Sequence, residues 1–191
     1  MTPGEWFGLG SVVVSFVGSA AYFQGILKGS IKPHAFTWLI WAIMAAIVFA
    51  AQYLEGAAAG AWATAAACVI QFVIAAVGFF QKERDITRSD SVALAGALLS
   101  IPLWVITKDP VWSVILLTVI DVIGYYPTFR KSWHDPYNES ALSFAIWTLQ
   151  WVLALMAMAH YNITTALYPA AIVIMNTAVV FTLLWRRKVL A

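Results

Sequence analysis

The chain has 191 residues, of which 62% are hydrophobic and 10% charged, and its mean hydropathy is +0.82. A soluble domain carries roughly a quarter charged residues, so this composition excludes a water-soluble globule and places the chain in a bilayer. The net charge of +2 is too small for a nucleic-acid-binding face. The single cysteine, Cys68, has no CxxC or histidine neighbour that would give it a disulfide, redox or metal role. At about 20 residues per crossing, seven crossings take about 140 residues and leave about fifty for loops and tails, with no room for an appended soluble domain.

Apolar runs bounded by charged or turn residues fall at 6–26, 35–53, 58–80, 91–107, 110–129, 140–159 and 164–185. Backbone groups in hydrocarbon must bond within their own segment, so these runs are expected to be helices; barrel strands would alternate over about ten residues instead. The first run lacks a basic flank between Met1 and Trp6 and is read as a retained membrane helix rather than a signal peptide. The fourth is the shortest and needs tilt or local thinning to cross. Before it, residues 81–90 form a mixed-charge loop with Ser89 or Asp90 as the expected N-cap.

Basic residues set the orientation. Lys28 and Lys32 follow the first run, Lys82, Arg84 and Arg88 the third, Arg130 and Lys131 the fifth, and Arg186, Arg187 and Lys188 the seventh. These all fall on one side, with Lys108 alone on the other, so the N-terminus is expected outside and the C-terminus in the cytoplasm.

The two halves carry related segments. Tyr22-Phe-Gln-Gly-Ile-Leu-Lys28 with Pro33 aligns, at a shift of 103 positions, with Tyr125-Tyr-Pro-Thr-Phe-Arg-Lys131 and Pro136. A three-residue insertion then aligns Thr37 and Trp41 with Ser143 and Trp147, and Val69-Ile70-Gln71 matches Ile174-Met175-Asn176. Two three-helix units placed back to back are inverted, and an unmatched fourth helix restores their common orientation. The expected fold is all-α integral membrane, seven transmembrane helices in a 3+1+3 arrangement with two parallel repeats. Residues 1–81 form the first repeat, 82–109 a cytoplasmic loop and linker helix, and 110–191 the second repeat with a basic cytoplasmic tail.

One formal charge lies inside a span, Asp121. At 1.5 Å rise per residue, Gln71, Gln150 and Asn176 fall near its depth, where repeat-built transporters place their substrate. A carboxylate at mid-membrane costs at least about 2.5 kcal/mol and so must face a cavity or a partner. Asp121 is then either a proton site or cation partner, or a helix fastener bonded to Gln150 or Thr118. Trp147, Gln150 and Trp151 share one helix face, which serves either as an amide between two stacking walls for a ring-shaped solute or as packing surface. Gln71 and Asn176 offer a ligand site, a clasp between the units, or both. Trp38 is expected in the interfacial aromatic belt, with the deeper Trp41 as a gate; Gly56 and Gly60 are expected to be close-packing positions.

Other chemistries find no residues. His34, His134 and His160 are scattered at loops and helix ends without metal-site spacing, so no metal and no cofactor is expected. No span contains a lysine to anchor a retinal, and GxSxG, CxxC and a second intramembrane aspartate are missing, so no enzyme is expected. The sequons at Asn138 and Asn162 are weak matches, the first on the inner side.

In plan the chain resembles the SWEET and PQ-loop transporter superfamily, and it is similar to the Pnu-type bacterial vitamin transporters. The segment Pro127-Thr128-x-Arg130-Lys131-Ser132 with Ser140 and Ser143 resembles the second PQ-loop signature, with Thr128 in place of glutamine; in the first unit Phe23 precedes Gln24 where the signature has proline. The resemblance implies that Asn176 lines the solute site, with Gln71 in the corresponding place, and that Pro127 matches a hinge proline and is a second gate residue. It further implies a bacterial inner (plasma) membrane protein whose partners are the bilayer and a small polar solute such as a sugar, nucleoside, vitamin or amino acid. Transport is expected by alternating access around Asp121, Gln150, Asn176, Gln71, Trp147 and Trp151, proton-coupled where Asp121 titrates. A receptor or assembly subunit built on the same fold is the alternative.

Overall fold

The computed structural model describes residues 1–28, 35–80, 88–134, 136, 137 and 140–190. Loop positions Lys32, Pro33, His34, Lys82, Arg84 and Asn138, and the side chains of Thr37, Pro127, Arg130 and Lys131, lie outside the described residues. Among the described residues the chain is all-helical, with no strand.

Helix α1 (Pro3–Leu27) starts in a capping box in which the Thr2 hydroxyl accepts from the Glu5 amide and the Glu5 carboxylate accepts from the Thr2 amide, with Pro3 fixing the first helical turn. Helix α2 (Ala35–Leu54) is followed by a turn at Gly56, whose φ of +73° suits glycine. A 3-10 turn at Ala58–Ala61 then leads into α3 (Trp62–Phe80). Next come α4 (Arg88–Thr107), α5 (Val111–Gly124), α6 (Tyr126–His134), α7 (Ala141–Met156, capped by the Ser140 hydroxyl) and α8 (Ile163–Leu190).

Three of these segments are long and apolar enough to cross a membrane, Pro3–Gln24, Ala58–Phe80 and Ile163–Leu190. Four others are shorter apolar helices, Trp38–Leu54, Leu94–Thr107, Val111–Gly124 and Ala141–Met156. Large apolar side chains such as Val17, Val73, Ile106, Ile123, Leu142, Ile174 and Phe181 point outward, a surface that hydrocarbon accepts and water does not.

Several boundaries differ from the sequence expectation. The fifth run breaks at Tyr125, where the amide turns back to the Val122 carbonyl at 3.2 Å. Pro127 has no N–H to offer the Ile123 carbonyl, so the regular ladder cannot continue through it. Arg130 and Lys131 consequently lie in α6, not in a loop. Ser89 and Asp90 are already inside α4 rather than capping it. Arg186, Arg187 and Lys188 are the last turns of α8, not a tail beyond it. Arg186 Nε donates to the Trp133 carbonyl at 2.8 Å, and the Arg187 guanidinium donates to the Pro136 carbonyl at 2.9 and 3.0 Å. These bonds pin the end of α8 to the end of α6.

Packing follows the same scheme in both halves. Helix α3 packs against both α1 and α2, and α8 packs against both α7 and the α5–α6 pair. The halves meet where α1 lies along α7 and where α2 lies beside α5, with α4 packed against both members of the second joint. The main core gathers Met44, Val48, Val114, Leu117, Trp151 and Tyr168 from α2, α5, α7 and α8.

Candidate functional site

The two ends of the bundle are built differently. At one end lie the start of α1, the 3-10 turn, the end of α7 and the start of α8, and there small residues bring backbones together. A Cβ on Gly8 would meet the Ala59 carbonyl oxygen at 2.8 Å, and one on Gly60 would lie 2.9 Å from the Met158 Cα. The close packing expected at Gly60 is therefore present. Gln52, fully buried, ties three helices here: its Nε2 donates to the Thr165 carbonyl at 3.0 Å and its Oε1 accepts from the Thr64 hydroxyl at 2.7 Å.

From mid-bundle toward the other end, where α1 and α5 finish and α2 and α7 begin, the interior opens into a cavity of about 440 Å³. Among the described residues every helix except α4 contributes to its wall. All six residues expected to bind solute, Gln71, Asp121, Trp147, Gln150, Trp151 and Asn176, line it, as does Trp41. The backbone at Pro127 sits at the α5–α6 break, with its side chain outside the described residues.

Residues at matching positions of the two aligned segments line this space together. Tyr22 and Tyr125, Trp38 and Phe144, Trp41 and Trp147, and Gln71 and Asn176 all line it. Asp121 breaks the correspondence: the matching position in the first half is Gly18, where a Cβ would already be 3.0 Å from the Trp147 indole nitrogen. The close α1–α7 joint thus has no space for a carboxyl, and the charge comes from one half only.

The polar groups divide into satisfied and free. Tyr125 donates its hydroxyl to Asn176 Oδ1 at 2.7 Å. Gln71 Oε1 is buried with no hydrogen-bond partner, so the Gln71–Asn176 clasp, one of the roles these two residues offered, does not form; Tyr125, at the break between α5 and α6, supplies the partner for Asn176 instead. Thr118 donates to the Val114 carbonyl of its own helix at 2.7 Å, which removes it as a fastener for Asp121. The Asp121 carboxylate lies half-buried at the cavity wall with the Tyr168 side chain beside it. Among the described residues no lysine, arginine or histidine lines the cavity.

Aromatic rings form much of the wall. Trp151 and Tyr168 meet edge to face with centroids 5.5 Å apart, and Phe144 and Trp147 do so at 5.4 Å. On the opposite side Trp38 donates its indole N–H to the Tyr22 hydroxyl at 3.1 Å and stands edge-on to Trp41 at 5.2 Å. Trp38 is therefore a cavity residue, not a member of a lipid-facing belt: the tyrosine partner lies inside the bundle, and that bond turns the indole inward.

Sequence reasoning missed the tyrosines. Tyr125 and Tyr168 supply hydroxyls at the depth of Asp121, and the available signal was a phenol within an apolar run; Gln52 likewise passed unnoticed among the amides. Searches of protein-family models, of curated proteins and of solved structures find no match to this chain. Among the described residues no cluster of metal-ligating side chains occurs.

Proposed function

We propose that the protein is a membrane transporter of the SWEET and PQ-loop type, moving a small polar solute through a central cavity by alternating access. The observation that carries this reading is the cavity of about 440 Å³, with Gln71 Oε1 buried and unpartnered in its wall and Gln150 making no side-chain hydrogen bond among the described residues. A helix fastener would have consumed those groups, because an unmet polar atom in a membrane interior is costly.

The convergence of four repeat-related residue pairs on one cavity supports the 3+1+3 plan, with residues 1–81 and 110–191 as the two units and 82–109 as loop and linker. In that plan α5 and α6 together form one crossing, α4 is the linker that stays out of the cavity, and the shorter apolar helices cross with the long ones. The distribution of lysine and arginine puts the packed end outside and the cavity end toward the cytoplasm, so the conformation is inward-facing. Asp121 is the residue through which coupling to protons would act. We assign no enzymatic step to the site, and the N-terminus lies outside with the C-terminus in the cytoplasm of an inner (plasma) membrane.

Uptake of radiolabelled sugars, amino acids, nucleosides and aromatic amines into proteoliposomes tests the proposal. The expected outcome is flux for at least one solute that falls tenfold or more in Asp121→Asn and in Asn176→Ala. Equal flux in both variants rejects the site, and no flux for any solute rejects transport in favour of a receptor or assembly subunit.

A further inference from the structure

The geometry points to a small organic cation bearing a planar ring as the occupant of the central cavity, its charge held against Asp121 and its ring between Trp147 and Trp151. The inference rests on the cavity being the solute site proposed above, and it narrows the class of solute.

The first argument is charge. Asp121 is the one acidic side chain among the residues lining the cavity, and no lysine, arginine or histidine accompanies it among the described residues. A ligand carrying a carboxylate or phosphate would meet this carboxylate in a medium of low dielectric with no cation among the described lining residues to offset the repulsion. A zwitterion would satisfy Asp121 and leave its own carboxylate without a counter-charge. A neutral sugar would hydrogen-bond but leave the charge at the cavity wall uncompensated. One positive charge on the ligand closes this account, and the repeat agrees: with glycine at position 18, the matching site in the first half, only one carboxylate is present to be met.

The second argument is the wall. Trp147, Trp151, Trp41 and Trp38 line the cavity together with Tyr168. Indole faces attract cations by about 0.5–2 kcal/mol, with the larger values where the pair is desolvated, and they stack on planar rings. The third argument is the balance of donors and acceptors. Gln71 Oε1 is a buried acceptor without a donor, and the Asp121 carboxylate can accept more than the one Tyr168 hydroxyl beside it, so the ligand has to bring N–H or O–H groups. A cavity of about 440 Å³ lies in the range that holds small organic ligands, and it accommodates one or two rings with a short amine chain.

The test uses matched probes that share a ring and a two-carbon chain and differ in the end group, which is positive, neutral or negative. Isothermal titration calorimetry of the full chain in detergent is run with 2-phenylethylamine, 2-phenylethanol and 3-phenylpropionate, and with tryptamine, tryptophol and indole-3-propionate. The amine of at least one set is expected to bind ten times more tightly than the alcohol, with no binding of the acid. In Asp121→Asn the amine should fall to the affinity of the alcohol while the alcohol is unchanged, which also shows that the variant keeps its fold. Equal affinity for amine and alcohol, retention of the amine preference in Asp121→Asn, or binding of neither amine each overturns the inference. Failure of the two proposals is distinguishable. Amine binding without flux into proteoliposomes retires transport and leaves the cation site standing, whereas Asp121-independent flux of a neutral sugar retires the cation site and leaves transport standing.

Discussion

Gln52 and Gln71 are the same residue type in neighbouring helices, each within an apolar run, yet the structure uses them in opposite ways. Gln52 is fully buried with both amide atoms engaged, on Thr64 and on the Thr165 carbonyl. Gln71 has a buried oxygen that nothing meets. The contrast extends to their surroundings. The Gln52 bonds join α2, α3 and α8 at the end of the bundle where Gly8 and Gly60 bring the 3-10 turn close against α1 and the segment after α7, the packed seal of the bundle. Around Gln71 tryptophans and tyrosines hold the helices apart and leave a cavity. At the packed end the buried amide is consumed by the protein, whereas at the cavity end Asn176 and Tyr22 are bonded and the Gln71 oxygen is left unmet.

The largest effect is expected where the seal is tightest. A side chain at Gly60 places its first carbon 2.3 Å from the Met158 Cγ and 2.9 Å from its Cα; the thioether end can move aside but the backbone cannot. Overpacking of this kind costs about 1–3 kcal/mol, and Gly60→Val should sit at the top of that range, read as a fall in the thermal unfolding midpoint in detergent. The counterpart is Gly124→Ala at the cavity wall, where an added Cβ meets nothing within 4 Å. That change should leave stability level or raise it by up to about 1 kcal/mol through helix propensity. Equal losses in the two variants would erase the distinction between the ends.

Next in size is Gln52→Leu. Interhelical hydrogen bonds in membrane proteins average about 0.6 kcal/mol and reach about 1.7, so losing both bonds should cost about 1–3 kcal/mol. An unchanged unfolding midpoint would show that the network does not hold the seal.

The apolar runs and their order were legible in the sequence because each rests on residue-by-residue pattern: hydrocarbon-compatible lengths and charged flanks. The six proposed binding residues were legible because polar atoms stand out in an apolar run and helical rise places them at one depth. What the pattern could not carry is partner choice. Gln52 and Gln71 look alike in a one-dimensional reading, and only the packing of Thr64 and Thr165 against the first separates them. The Tyr125–Asn176 bond was hidden for the same reason, since it joins residues 51 positions apart. Helix ends were blurred where charged residues continue a helix beyond its apolar stretch, as at Arg130 and Arg186.

The smallest stability effect, and the sharpest use of the comparison, belongs to Gln71→Leu. Its oxygen makes no bond that the change would remove, and replacing an unpartnered buried amide by an apolar group of similar volume relieves a desolvation cost instead of adding one. Thermal unfolding should therefore move by less than about 0.5 kcal/mol or rise slightly, against the loss expected for Gln52→Leu. Solute flux, or amine binding by calorimetry, should behave the other way and fall tenfold or more in Gln71→Leu. Two leucine substitutions of one residue type then separate a group that holds the bundle together from a group kept free for a ligand. If Gln71→Leu destabilises as much as Gln52→Leu, the amide at 71 is structural and the cavity loses its best-placed free acceptor.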